Sequence, residues 1–152
     1  MVDVVDPVTR SRMMANIRGK NTRPEIALRR ALHALGLRFR LHGKRLPGTP
    51  DIVLPRWKAA IFVHGCFWHR HEGCRFASSP ATRREFWEDK FAANVSRDRR
   101  DQELLVNTGW RVRVIWECDL KSRGAGKVAY EVKEWLQGGI LAINVNSEVW
   151  PK

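Results

Sequence analysis

Residues 50–64 read Pro50-Asp51-Ile52-Val53-Leu54-Pro55-Arg56-Trp57-Lys58-Ala59-Ala60-Ile61-Phe62-Val63-His64. Two apolar runs, 51–54 and Ala59–His64, flank a turn opened by Pro55. Short runs of this kind bounded by a turn predict two paired strands. The second run is almost unbroken, as in a strand buried on both faces. Upstream, residues 38–42 alternate (Arg38, Phe39, Arg40, Leu41, His42) and predict a third strand, joined through the turn Pro47-Gly48-Thr49-Pro50. These three strands form a meander. Downstream, Arg111–Trp116 alternates and predicts a fourth.

Helices surround this sheet. Residues 9–18 carry Met13, Met14 and Ile17 among arginines. Thr22 caps a second helix, with Pro24 in its first turn and Glu25 three residues after the cap; it runs to Leu35 and stops at Gly36. A third spans 82–107, closed by Gly109, and a fourth spans 127–136, ahead of Gly138-Gly139. Residues 140–152 show no clear pattern. The order α-α-β-β-β-α-β-α predicts an α/β fold, a mixed sheet flanked by helices. A chain of 152 residues suits one domain, with an N-terminal arm over about 1–20 and an undiagnostic tail over 124–152.

Composition narrows the partners. Lys and Arg number 28 against 16 Asp and Glu, a net charge of +12. Such a charge on a chain that is 43% hydrophobic favours a polyanion, because each neutralised phosphate releases counterions. The excess lies forward: residues 1–46 hold 11 Lys/Arg against Asp3, Asp6 and Glu25. The first residues lack the basic and apolar regions of a signal peptide. No stretch approaches the ~20 apolar residues of a membrane span. A reducing cytoplasm is expected, where grouped Cys and His suggest metal rather than disulfide.

Cys66, His69, His71 and Cys74 lie within nine residues, and Cys118 follows the fourth strand. Three cysteines and one histidine make a closed tetrahedral zinc site, which braces a loop and leaves no position for catalytic water. Spacing leaves His69 and His71 as alternative ligands. The competing reading is three buried thiols and stray histidines.

Asp51, after a proline turn at a strand start, can hold a hard cation such as Mg²⁺ or merely cap the turn. Strand pairing brings His64 near it. Glu25 completes a capping box with Thr22, and serves the site as well if that helix start faces Asp51. If His71 takes the zinc, His69 is left to accept a proton from water. Trp110, Trp116 and Trp135 read as core. Phe67, Trp68 and Trp87 accompany the polar loop and suit wedging between base steps.

Residues 61–74 (Ile-Phe-Val-His-Gly-Cys-Phe-Trp-His-Arg-His-Glu-Gly-Cys) and 80–101 (Pro-Ala-Thr-Arg-Arg-Glu-Phe-Trp-Glu-Asp-Lys-Phe-Ala-Ala-Asn-Val-Ser-Arg-Asp-Arg-Arg-Asp) are joined by three shorter pieces. These are Thr9-Arg10-Ser11-Arg12-Met13-Met14, Leu46-Pro47-Gly48-Thr49-Pro50-Asp51 and Gly109-Trp110-Arg111-Val112. As an ordered set, covering about 1–120, they closely resemble the very short patch repair (Vsr) endonucleases.

The resemblance implies a restriction-endonuclease-like fold and a nick 5′ to the thymine of a T:G mismatch left by deaminated 5-methylcytosine. It implies catalytic Mg²⁺ on Asp51 and the backbone carbonyl of Val63, and structural Zn²⁺ on Cys66, His71, Cys74 and Cys118. It gives His64 the phosphate-facing role, His69 the general base and Glu25 a supporting role through metal-bound water. Phe67, Trp68 and Trp87 match the wedge aromatics, and Met14 their partner from the opposite groove. It also implies a monomer acting on double-stranded DNA in the cytoplasm, at the nucleoid, alongside mismatch-repair proteins and a cytosine-5 methyltransferase. Two departures stand out. Val63 occupies a place where the family often has threonine. The step from His71 to Cys74 is one residue longer than the family's, which Gly73 absorbs by taking φ > 0. Two other functions remain open: a nuclease of the same fold with another preference, and a zinc-braced DNA-binding module without catalysis.

Overall fold

The computed structural model describes residues 6–9 and 21–138. Residues 10–18 of the expected N-terminal helix, Met14 among them, and residues 140–152 therefore lie outside the described residues.

The elements are α1 (Arg23–Ala34), β1 (Arg40–Leu41), β2 (Ile52–Leu54), a single 3₁₀ turn (Pro55–Trp57), β3 (Ala59–His64), α2 (Arg84–Asn107), β4 (Arg111–Trp116), α3 (Glu117–Arg123) and α4 (Ala125–Gln137). The sheet order is β1-β2-β3-β4. The first three strands are antiparallel neighbours, and β4 lies parallel to β3 after the α2 crossover. No helix among the described residues is long and apolar enough to cross a membrane.

Helix α1 begins as its sequence requires. Thr22 Oγ1 accepts from the Glu25 amide at 3.4 Å, and Glu25 Oε2 accepts in return from the Asn21 amide at 2.9 Å. Leu35 caps the other end, and Gly36 turns out at φ +84°. Several features differ from expectation. The first strand shrinks to two exposed residues; His42 adopts φ +49° and ends the extended run after Leu41. The long helix starts at Arg84 rather than 82, because Arg83 before it takes φ +54°. Helix α3 was not expected; its acidic first turn (Glu117, Asp119) and basic last turn (Lys121, Arg123) suit the helix dipole.

Side-chain parity along the strands divides the core in two. Ile52, Leu54, Ala59 and Ile61 face α1 and α4, meeting Leu28, Leu32, Val132 and Leu136. Ala60 and Phe62 face the other way, with Val112, and meet Leu105 of α2. The same parity carries Asp51, His64 and Trp116 to the α2 side. A functional cleft therefore opens where the strands end and α2 passes over them.

Candidate functional site

The cleft, of about 470 Å³, is lined by Asp51, Val63, His64 and His69, with Asp98 of α2 and His42 beside β1. Asp51 Oδ2 accepts from the Val63 amide at 2.7 Å. Burial outweighs that bond, and together with the negative charge of Glu25 it pushes the Asp51 carboxyl up to about 6. The loop before Asp51 crowds the cleft wall. Gly48 has φ +73°, and a Cβ there would stand 3.1 Å from the Phe62 ring and 3.0 Å from Asp101 Cβ.

His64 is 5% exposed. Its imidazole lies flat on that of His69, with centroids 3.8 Å apart and planes 8° apart. Burial, then the neighbouring His69 charge, pulls its pKa down to about 3, so it is neutral at neutral pH. His69 Nδ1 lies 2.6 Å from Asp98 Oδ2. An ionised carboxylate only accepts, so this geometry puts the proton on Nδ1 and leaves Nε2 with a lone pair.

Glu25 is 2% exposed. Its Oε1 accepts from Arg29 and sits 3.0 Å from His42 Nε2, while the His42 amide bonds the Asp51 carbonyl at 3.1 Å. Thus the helix cap and the cleft share one carboxylate.

The second centre lies on the loop after β3. One ligand atom from each of Cys66, His71, Cys74 and Cys118 falls within 4.8 Å of the others. His71 Nδ1 stands 3.3 Å from Cys118 Sγ. Tight turns assemble the group: the His71 amide bonds the Cys66 carbonyl at 3.1 Å, and the Cys74 amide bonds the His71 carbonyl at 3.3 Å. Gly73 takes φ +70°. Burial pushes the Cys118 thiol up to about 12, with Cys66 and Cys74 adding to the effect; burial also raises that of Cys66, while hydrogen bonds from the Phe76 and Ala77 amides and the other two thiols outweigh burial and lower that of Cys74. Three thiols and one imidazole within reach of one another are soft or borderline donors that a metal cation can hold together. The geometry thereby separates the two histidines: His71 joins the cysteines, and His69 turns into the cleft.

Phe67, Trp68, Trp87 and Phe91 form one half-buried to buried aromatic group. Phe67 meets Trp68 and Phe91 edge-on at 5.1 Å and Trp87 at 5.8 Å. Lys90 lies over Trp68 and Trp87. Arg70 locks the loop beneath, donating to the Ala77 carbonyl at 2.8 Å and the Ser78 carbonyl at 3.0 Å and covering Phe91 at 4.1 Å. Trp135 is core as expected, at 4% exposure. Trp110 packs partly buried against the α2-side core. Trp116 is half-buried between the two centres, not inside the core.

Asp98 and His42 were not anticipated. A signal for Asp98 exists in α2: Phe91, Asn94, Asp98, Gln102 and Leu105 form one helical stripe. Its ends are buried apolar residues, whereas Asn94 bonds the Trp68 carbonyl and Asp98 bonds His69. Polar residues in the middle of an inward stripe mark a helix that faces a site.

A family model described as DNA mismatch endonuclease Vsr matches residues 2–75. The chain is 51% identical over 125 residues to the type II nicking enzyme V.XorIIP of Xanthomonas oryzae pv. oryzae, covering 82% of this chain and 91% of that one. It is 45% identical over 153 residues to the DNA mismatch endonuclease Vsr of Escherichia coli K12, covering 97% and 96%. The type II nicking enzyme V.NmeAIP of Neisseria meningitidis is 39% identical over 123 residues, covering 81% and 87%.

Proposed function

This chain belongs to the Vsr family of DNA mismatch endonucleases, and from that membership we propose that it nicks one strand of duplex DNA 5′ to the thymine of a T:G mismatch. The observation that carries the proposal is the cleft itself. It sets a buried carboxylate, Asp51, against a His69–Asp98 pair built to take a proton. The antiparallel meander with an acid at the head of β2, joined in parallel to β4, is our basis for reading the sheet as restriction-endonuclease-like.

The residues fit the two metals. Three thiols and one imidazole suit structural Zn²⁺, with Cys66, His71, Cys74 and Cys118 closing the site so that it braces the loop. Asp51 suits Mg²⁺: one carboxylate oxygen is held by the Val63 amide, and burial leaves its charge uncompensated. Asp51 and the Val63 carbonyl would hold that cation, a role that valine fills as well as threonine. When bound, Mg²⁺ supplies positive charge at the scissile phosphate and the leaving oxygen.

The protein's own groups do the rest. His69 Nε2 takes the proton of the attacking water, and Asp98 fixes its tautomer and stabilises the imidazolium that forms. His64 acts as a neutral N–H donor to the phosphate, not as a cation. Glu25, held by Arg29 and His42, orients water beside Asp51. Phe67, Trp68 and Trp87 enter at the mismatch, where unstacking costs least, and Met14 enters from the opposite groove. The enzyme acts as a monomer in the cytoplasm, on nucleoid DNA, alongside mismatch-repair proteins.

The test is nicking of an end-labelled T:G duplex with Mg²⁺, beside its T:A control and other mismatches. A single cut 5′ to the thymine, absent from T:A, is expected. Equal cutting of another mismatch would reassign the specificity within the fold. No cutting of any duplex would favour a DNA-binding module.

A further inference from the structure

One aromatic ring stands between the two centres and belongs to neither. Trp116 ends β4 and is the register partner of His64 on β3. Its indole lies flat on the His71 imidazole, with centroids 4.2 Å apart and planes 9° apart. It meets His64 edge-on, at 5.3 Å and 73°. His64 in turn lies flat on His69, which is bonded to Asp98. His71, Trp116, His64 and His69 therefore form an unbroken file of rings from the Cys/His cluster to the proton-accepting pair.

The file matters because of how imidazoles are held. The last torsion of a histidine side chain is broad, so neighbours set the tilt of the ring. His64 has ring neighbours on three sides: Phe62 at 5.7 Å, His69 and Trp116. His69 is stacked on His64, so its Nε2 inherits that tilt. Trp116 is also the ring of this cage that stacks on a residue of the Cys/His cluster.

We propose that Trp116 is a positioning residue for nicking: its flat face carries the orientation of His71 to His64, and through His64 to His69. This role rests on reading the cleft as the nicking site. A core tryptophan would need only volume. A positioning tryptophan needs a plane.

Trp116→Phe and Trp116→Leu separate these requirements. Both are smaller and apolar, but only phenylalanine presents a flat ring. For wild type and both variants, one measures the single-turnover nicking rate on a T:G duplex, the duplex Kd without Mg²⁺, and zinc bound per chain. Zinc content and Kd should stay within about twofold of wild type in both, since neither ligands nor DNA contacts change. Trp116→Phe should nick within about fivefold of wild type, and Trp116→Leu roughly 10- to 100-fold slower, the scale of a misplaced reacting group. Equal rates in the two variants, or a Leu defect that follows lost zinc or lost affinity, would overturn the role. Wild type that fails to nick would overturn the reading of the cleft and this role with it. Wild type that nicks, with equal Phe and Leu rates, would overturn this role alone.

Discussion

Asp51 is held where its own charge is disfavoured. Its carboxyl titrates near 6 in the folded chain, against 3.8 ordinarily. Between those values the folded protein keeps a proton that the unfolded chain has released. Stability without Mg²⁺ therefore falls as pH rises from about 4 to 6, and above 6 the full cost, up to about 3 kcal/mol, is present. Asp51→Asn removes the charge and keeps an oxygen for the Val63 amide. It should raise the melting temperature at pH 7.5 in Mg²⁺-free buffer by several degrees, and the gain should vanish at pH 4. A melting temperature unchanged at both pH values would show that Asp51 is not strained by burial. At His69 the expectation concerns rate. Asp98→Asn leaves the ring in place but no longer enforces Nδ1–H, so nicking should fall roughly 10²- to 10⁴-fold with duplex affinity unchanged. Single-turnover kinetics measure it, and a loss under about threefold would remove Asp98 from the mechanism.

The loop from Cys66 to Cys74 is the element on which both centres depend. One bound zinc per chain is expected, measured by elemental analysis. Cys118→Ala should lose that zinc, lower the melting temperature and abolish nicking, although Cys118 does not line the cleft. Gly73→Ala tests the turn more gently. Open space surrounds the position, so there is no clash, but φ +70° costs about 1–2 kcal/mol for an L-residue. Weakened zinc retention under chelator should result; wild-type retention would mean that the turn relaxes freely. At this scale the sequence was uneven to read. Strands β2, β3 and β4 and the ends of α1 follow from apolar runs and capping residues. The Cys/His donor group follows from spacing, except that spacing left His69 and His71 as alternatives; the resemblance assigned them, and the turns separate them by folding one inward and the other away. Strand β1 was overestimated because alternation cannot reveal that His42 leaves the extended region. Asp98 escaped notice because Arg97-Asp98-Arg99-Arg100-Asp101 reads as a solvated charged face. Its meaning depends on a loop 29 residues away in sequence.

For the whole molecule, two features combine: a sheet whose α2 face carries the cleft, and a net charge of +12. The charge predicts steep salt dependence of duplex binding, with log Kd against log salt rising by roughly 0.9 for each phosphate engaged. A slope of at least about 4 is expected from fluorescence anisotropy across a salt series; a slope near zero would mean that the basic surface does not grip DNA. The most direct test joins charge, cleft and mismatch. Wild type and Asp51→Ala are compared on the same T:G duplex with Mg²⁺, measuring single-turnover nicking and duplex Kd together. Wild type should cut once, 5′ to the thymine, while Asp51→Ala binds the duplex with similar affinity and leaves it intact. Cutting by Asp51→Ala at the wild-type rate would contradict the assignment of this cleft as the nicking site.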